Sequence, residues 1–325
     1  MKKGNYVVFN TGIAIVVSLL VGITTAVAKD EFKIMPKPTK VSEHVYAWIG
    51  PYGGPNTKNK GFRMNMAFVV GTKSIAVLDT GFYPAMAEEM VQRIREVSNL
   101  PIKYAINTNS QPDRYFGNST FEKLGAKIIA HEKEVTRMNE LSNNFALFVE
   151  NSMKFKDGRI SIPNLPNTPI NKNINLDLGS GVVLHITYYK AAHTPAPLIV
   201  NIKKDNVIYA GDILYSGRLL AIVPGGNIKE WIETYDHLRQ YKTTTFIPGH
   251  GKPGPLRNFE KSTYSYLKFL NTQMNKMVSN DIGMQEAIKK VKPLQHEYAY
   301  LQDFSSLAGR NANRAYQEAE VAAFD

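Results

Sequence analysis

The 325-residue chain contains no cysteine at all. That absence excludes a disulfide scaffold, a thiol nucleophile, an iron–sulfur cluster and any zinc site that needs thiolate, leaving His, Asp and Glu for metal chemistry. No internal repeat is present, which removes the solenoid architectures. Acidic residues are the scarcer charge, 28 against 39 Lys and Arg, for a formal charge of +11. The longest apolar run, Ile13 to Ile23, falls short of the roughly 20 residues a membrane span requires. It follows Lys2 and Lys3 and leads into Ala26-Val27-Ala28, the order of a secretory signal peptide over residues 1–28 with cleavage after Ala28. An uncleaved anchor is the lesser reading. Removal of that segment lowers the formal charge from +11 to +9. In a periplasmic or secreted protein this excess favours anionic surfaces, polyanions or acidic partners over nucleic acid, and an ordinary solvated basic surface also accounts for it.

What is present is a core. Hydrophobic residues make up 43% of the chain, with 17 Tyr and 15 Phe, enough for a packed globular body from residue 29 to residue 325. Alternating and continuous apolar runs predict strands at 41–49, 66–70, 74–78, 102–106, 127–130, 182–187, 198–202, 207–209 and 244–247. Met86, Met90, Ile94 and Val97 recur at helical spacing, and a polar helix is expected over 132–141. The interval 142–181 reads as irregular covering chain. Asn227 and Glu230 make a capping box for a helix whose stripe is Ile228, Trp231, Ile232, Tyr235 and Leu238. Helices over 259–278, 284–291 and 311–321 close the sequence. The Gly, Pro and Asn-rich stretch 50–61 is a loop, either a flap or plain surface.

Polar residues collect where the strands end: Asp79-Thr80-Gly81, Asn107 through Arg114, Ala192-His193-Thr194-Pro195, Gly211-Asp212 and Pro248-Gly249-His250-Gly251. In that order they resemble the metallo-β-lactamase superfamily, and the resemblance extends from about residue 41 to residue 252. It implies an α+β fold of four layers, an αβ/βα sandwich, closed here by C-terminal helices. Val45-Tyr46, Gly54-Pro55, Arg310-Asn311 and Ala315-Tyr316 resemble the exported branch of zinc metallohydrolases associated with quinoprotein relay systems and sulfur oxidation.

The same resemblance implies a site. The family's His-x-His-x-Asp-His loop falls on Asn109, Gln111, Asp113 and Arg114, so only the aspartate matches. The implied metal ligands are Asp113, His193, Asp212 and His250, with Asn109, Gln111 and Arg114 as substituted positions, Asp113 as the water-orienting catalytic residue, and Asp79 buttressing from behind. Amide oxygens are weaker zinc donors than imidazoles. A guanidinium about 5 Å from a dication is repelled by on the order of 7 kcal/mol at an effective dielectric of about 20. Arg114 is therefore expected to lie between Asp113 and Asp212 and fork onto one or the other in the cation's place, with one protonated histidine completing neutrality. The cofactor expectation is one zinc or other divalent transition metal at most, or none. Two functions follow: a family-inherited hydrolase with one metal, or a catalytically inactive relative that binds a small molecule or a periplasmic protein. His44, His131, His185, His237 and His296 take the default reading of satisfied structural residues, and Trp48 and Trp231 that of core.

Overall fold

A computed structural model describes residues 1, 4, 34–155, 162–243 and 245–324. The expected signal peptide lies outside the described residues except for Met1 and Gly4. Among the described residues no helix is long and apolar enough to cross a membrane.

Two sheets carry the molecule. The first has seven strands in sequence order: β1 (Thr39–Lys40), β2 (Val45–Trp48), β3 (Met66–Val70), β4 (Ile75–Leu78), β5 (Ile102–Ile106), β6 (Lys127–His131) and β7 (Thr168–Ile170). Strands β1 to β4 pair antiparallel, β1/β2 and β3/β4 through short turns and β2/β3 across the loop that holds residues 50–61, and β4 to β7 pair parallel because helical crossovers separate them. The second sheet runs β12-β11-β10-β9-β8, from β8 (Ile174–Asp177), β9 (Val183–Thr187), β10 (Ile199–Ile202), β11 (Val207–Tyr215) and β12 (Thr245–His250). Its strands are antiparallel except for the β11/β12 pair.

Three apolar clusters define the layers. Val45, Val69, Leu78, Ile106, Ile186, Val200 and Ile247 from both sheets pack face to face in the centre. Outside the first sheet lie α1 (Pro84–Arg95), α3 (Asn118–Lys123) and α4 (Glu132–Met153), which bury Met86, Met90, Phe121 and Met138 against Phe68 and Val77. Outside the second lie α5 (Ile228–Leu238), α6 (Tyr266–Ser279), α7 (Met284–Leu294) and α8 (Phe304–Phe324), packed on Ile208 and Leu214. This is the expected α+β sandwich of four layers.

Four sequence expectations need correction. The helix expected to stop at Leu141 runs on to Met153, because Met138, Ser142, Ala146, Val149 and Met153 keep one face buried at spacings of three and four. Strands β7 and β8 occupy part of the interval read as irregular. Strand β11 does not stop at Tyr209 but continues to Tyr215, every residue of it buried, with register irregularities on either side of Gly211. The capping box at Asn227 is half made: Asn227 Oδ1 accepts from the Glu230 amide at 2.9 Å, while Glu230 accepts instead from the Ala191 amide.

Candidate functional site

The carboxyl ends of β4, β5, β11 and β12 meet at the rim of the sandwich, and four loops bring their polar residues together there. Asp79 follows β4 in the left-handed region, at φ 65°, a conformation Asp tolerates better than most residues. Its Oδ1 accepts from the Thr108 amide at 2.7 Å, and its Oδ2 accepts from the Tyr209 hydroxyl at 2.7 Å. It thus ties the loop after β5 to β11. Burial outweighs the neighbouring Arg114 and raises its pKa from an ordinary 3.8 to about 6.

The loop after β5 leads through Asn109 into α2 (Pro112–Tyr115), a single turn carrying Asp113 and Arg114. Asn109 Nδ2 donates to Asp212 at 2.8 Å, and its Oδ1 accepts from the Gln111 amide. The Arg114 guanidinium is completely buried. Its Nε and Nη2 donate to the two oxygens of Asp212 at 3.0 and 2.6 Å, a bidentate fork, while Nη1 reaches the Asn65 carbonyl at 2.8 Å and Asp79 at 3.3 Å. Arg114 thus forks onto Asp212, one of the two carboxylates expected for it; Asp113 forms a looser ion pair at 3.6 Å, and Asp79 is a further partner the sequence did not indicate. Asp113 is also held by Arg63, at 3.3 Å.

Asp212 and His250 face each other across the parallel pair. Strand β12 comes so close that a Cβ on Gly249 would sit 2.1 Å from Asp212 Oδ1, so only glycine fits. Burial pushes the Asp212 carboxyl up, but Arg114, with His193 and His250, holds it well below the usual carboxylate range. His250 Nδ1 donates to the Arg63 carbonyl at 3.0 Å, which leaves the Nε2 lone pair 3.5 Å from Asp212. Arg218 Nη1 lies 3.3 and 3.4 Å from the two ring nitrogens, and Tyr215 stacks on the imidazole at 5.1 Å. Burial and Arg218 drive the His250 pKa well down. His193 Nδ1 donates to the Ala221 carbonyl at 2.8 Å, and burial lowers its pKa also. Both shifts favour the neutral imidazoles, and Arg63 and Arg218 bring positive charge to the cluster where a protonated histidine was expected.

All four expected ligand residues, Asp113, His193, Asp212 and His250, line one cavity of about 300 Å³ together with Gln111 and the newly found Arg63 and Arg218. Gly54 and Pro55 of the 50–61 loop line it too, so that loop covers part of the cleft. Neither arginine stood out in sequence: Arg63 follows a glycine-rich loop and Arg218 lies beyond β11, and no spacing relates them to the strand-end motifs. Two further residues hold the walls. Glu134 accepts from the Ser110 amide at 2.8 Å and the Ala196 amide at 2.6 Å, which clamps the Asn109 and His193 loops together. Asn65 donates to the Pro248 and Gly251 carbonyls at 2.8 and 2.7 Å, and so joins the first sheet's loop to the end of β12.

A cleft at the open edge of an αβ/βα sandwich, lined by aspartates and histidines from the strand ends, defines the metallo-β-lactamase class of proteins. The chain belongs to the metallo-β-lactamase superfamily, whose family model matches residues 61–250. It is similar to metallo-beta-lactamase IND-1 of Chryseobacterium indologenes, 25% identical over 239 residues that cover 72% of this chain and 89% of that protein. Solved structures with the same fold include a metallo-beta-lactamase from Pontibacter korlensis, with a TM-score of 0.57 at 18% identity over 71% of this chain and 98% of the other. Another is the metallo-beta-lactamase from Hirschia baltica, with a TM-score of 0.55 at 17% identity over 72% and 98%.

Zinc is the superfamily's usual metal, and the donors here do not fit it. Both oxygens of Asp212 are engaged by Arg114, Asp113 is paired with Arg63, and the Arg218 guanidinium sits against His250. Among the described residues no group of three or more His, Asp or Glu side chains is arranged to hold a metal ion. What the arrangement offers is a water-shielded floor of fixed hydrogen-bond donors and acceptors, suited to recognition.

Proposed function

We propose that this protein is an exported, metal-independent binding relative of the metallo-β-lactamases, in which the hydrolytic centre has become the floor of a ligand cleft. The observation that carries the reading is the buried Arg114 fork on Asp212, a covalently attached cation at the position where the family's chemistry calls for a metal. A guanidinium neutralises the carboxylate yet has no vacant orbital with which to polarise a carbonyl or acidify water, so Lewis-acid hydrolysis is lost with the exchange. The signal-peptide pattern of residues 1–28 supports a periplasmic or secreted setting without an integral membrane segment once the leader is cleaved. The resemblance to the exported branch linked to quinoprotein relay and sulfur-oxidation systems agrees with it. The partner is then a small molecule or a periplasmic protein.

A second reading, a hydrolase with one metal, draws on His193, whose Nε2 lone pair is left unused by its Nδ1 bond and which lines the same cavity as Asp113, Asp212 and His250. It requires Arg114 to leave Asp212. Elemental analysis of the mature protein after exposure to zinc and exhaustive dialysis separates the two. The binding reading expects far less than one zinc per chain, whereas one zinc per chain that disappears in Asp212→Ala establishes the hydrolase.

A further inference from the structure

The arginines that line the cavity are not used like Arg114. Arg63 touches Asp113 through Nη2 alone, and its buried Nε has no hydrogen-bond partner. Arg218 faces Asp303 across 3.0 Å, but neither Arg218 Nε nor Asp303 Oδ2 makes a hydrogen bond there, so the pair is an ion pair without a fork. Arg310, exposed on α8 and also lining the cavity, has no carboxylate partner among the described residues. A guanidinium carries five N–H donors, and three arginines whose donors carboxylates engage only in part or not at all line one small space.

The charges that face that space set the ligand's charge. Asp212 is neutralised by Arg114, and Asp79 lies behind Arg114, away from the cavity. Arg63, Arg218 and Arg310 then face Asp113 and Asp303, an excess of one positive charge. The apolar part of the wall is Pro55, Phe148, Ile222, Val223 and Leu307, beside the neutral polar side chains of Gln111, Ser306 and Asn311. A volume of about 300 Å³ is at the small end of ligand pockets.

Resting on the metal-free reading above, we infer that the cleft binds a small organic carboxylate: one planar anionic head forked by Arg63 and Arg218, with Arg310 at the mouth, and a compact apolar body against Phe148 and Leu307. A single negative charge matches the excess, whereas a multiply charged anion would meet Asp113 and Asp303.

The test is calorimetric titration of the full chain, purified in EDTA, with phenylacetate, its neutral isostere phenylacetamide, and inorganic phosphate. The expected result is one site for phenylacetate, with phenylacetamide weaker by about tenfold or more, as loss of a charge-assisted fork implies. Phosphate should bind more weakly than phenylacetate. Arg63→Gln and Arg310→Gln should each weaken phenylacetate several-fold while leaving the circular dichroism spectrum unchanged; Arg310 has no partner to lose, so its variant guards against misfolding. Equal binding of acid and amide, no binding of the acid, or affinities unchanged in both variants overturns the inference. Phosphate binding as tightly as phenylacetate overturns the apolar half of it. Zinc uptake by the wild type with displacement of phenylacetate overturns the metal-free reading, while a chain that takes neither zinc nor phenylacetate leaves that reading standing and removes the inference alone.

Discussion

Arg114 concentrates the chemistry of the site into one side chain, because its removal would leave Asp212, Asp79 and the nearby Asp113 without the cation that balances them. Arg114→Ala should destabilise the protein by about 3–5 kcal/mol, the usual result of stripping one partner from a buried ion pair. Zinc should then stabilise the variant well beyond wild type, since freed carboxylates and vacated space both favour a dication. Thermal melting of both proteins with and without zinc checks this, and an equal zinc response would deny the guanidinium its role as a stand-in. Asp79 gives a pH signature. A carboxyl whose folded pKa is raised, here from 3.8 to about 6, contributes stability that is full below the unfolded value and is lost as pH rises through the folded one. Wild type should therefore lose about 2 kcal/mol relative to Asp79→Asn between pH 4 and pH 7, measured by urea unfolding across that range. Sequence reasoning located Asp79, Asp113, His193, Asp212 and His250 because motif positions at strand ends are local in the chain. It missed Arg63 and Arg218 because a charge that approaches from another loop leaves no periodicity behind.

At the level of elements, helix α4 contributes more than a hydrophobic face. Its first turn presents Glu134, buried, to two loops at once. Glu134→Gln keeps the size but can accept with only one end, so one of the two amides loses its partner, and the expected loss is about 1–3 kcal/mol. Equilibrium denaturation with an unchanged slope would confirm it, while an unaltered midpoint would show that the clamp is dispensable. Gly249→Ala brings a methyl group to within 2.1 Å of Asp212 Oδ1 and should cost about 3 kcal/mol or more, because strand β12 cannot retreat without breaking its pairing with β11. Strands β3 to β6 of the first sheet were legible almost to the residue, as at Ile102–Ile106, because continuous apolar runs bounded by turns have one reading, whereas the short edge strands β1 and β7 were not. The far half of α4 was not, since Ser142 and Ala146 carry its stripe with residues too small and too polar to mark a period. Nor was the extension of β11 through Asp212, where a buried charged residue belongs to the site rather than to the strand pattern.

Across the whole molecule, the sandwich was readable from the order of strand-end motifs, whereas the electrostatic character of the cleft emerged only on folding. The leader makes a separate prediction: the mature protein recovered from the periplasm should begin at Lys29, as N-terminal mass analysis would show, and intact Met1 in the membrane fraction would mean an anchored protein instead. The link made by Asn65, which joins the loop before β3 to Pro248 and Gly251, spans a sequence separation of 183 and 186 residues. Closing a loop of that length costs on the order of 5 kcal/mol in chain entropy before any contact offsets it. Neither sheet can assemble the cleft alone, so during refolding the cleft should be among the last parts to appear, after each half has formed its own strands and helices. The two tryptophans divide the event between them: Trp48 packs on Phe68 in the first sheet, and Trp231 meets the rings of His193 and Tyr215. In single-tryptophan variants the Trp231 signal should lag behind that of Trp48, and an intermediate with ordered halves and an unformed cleft should accumulate between them.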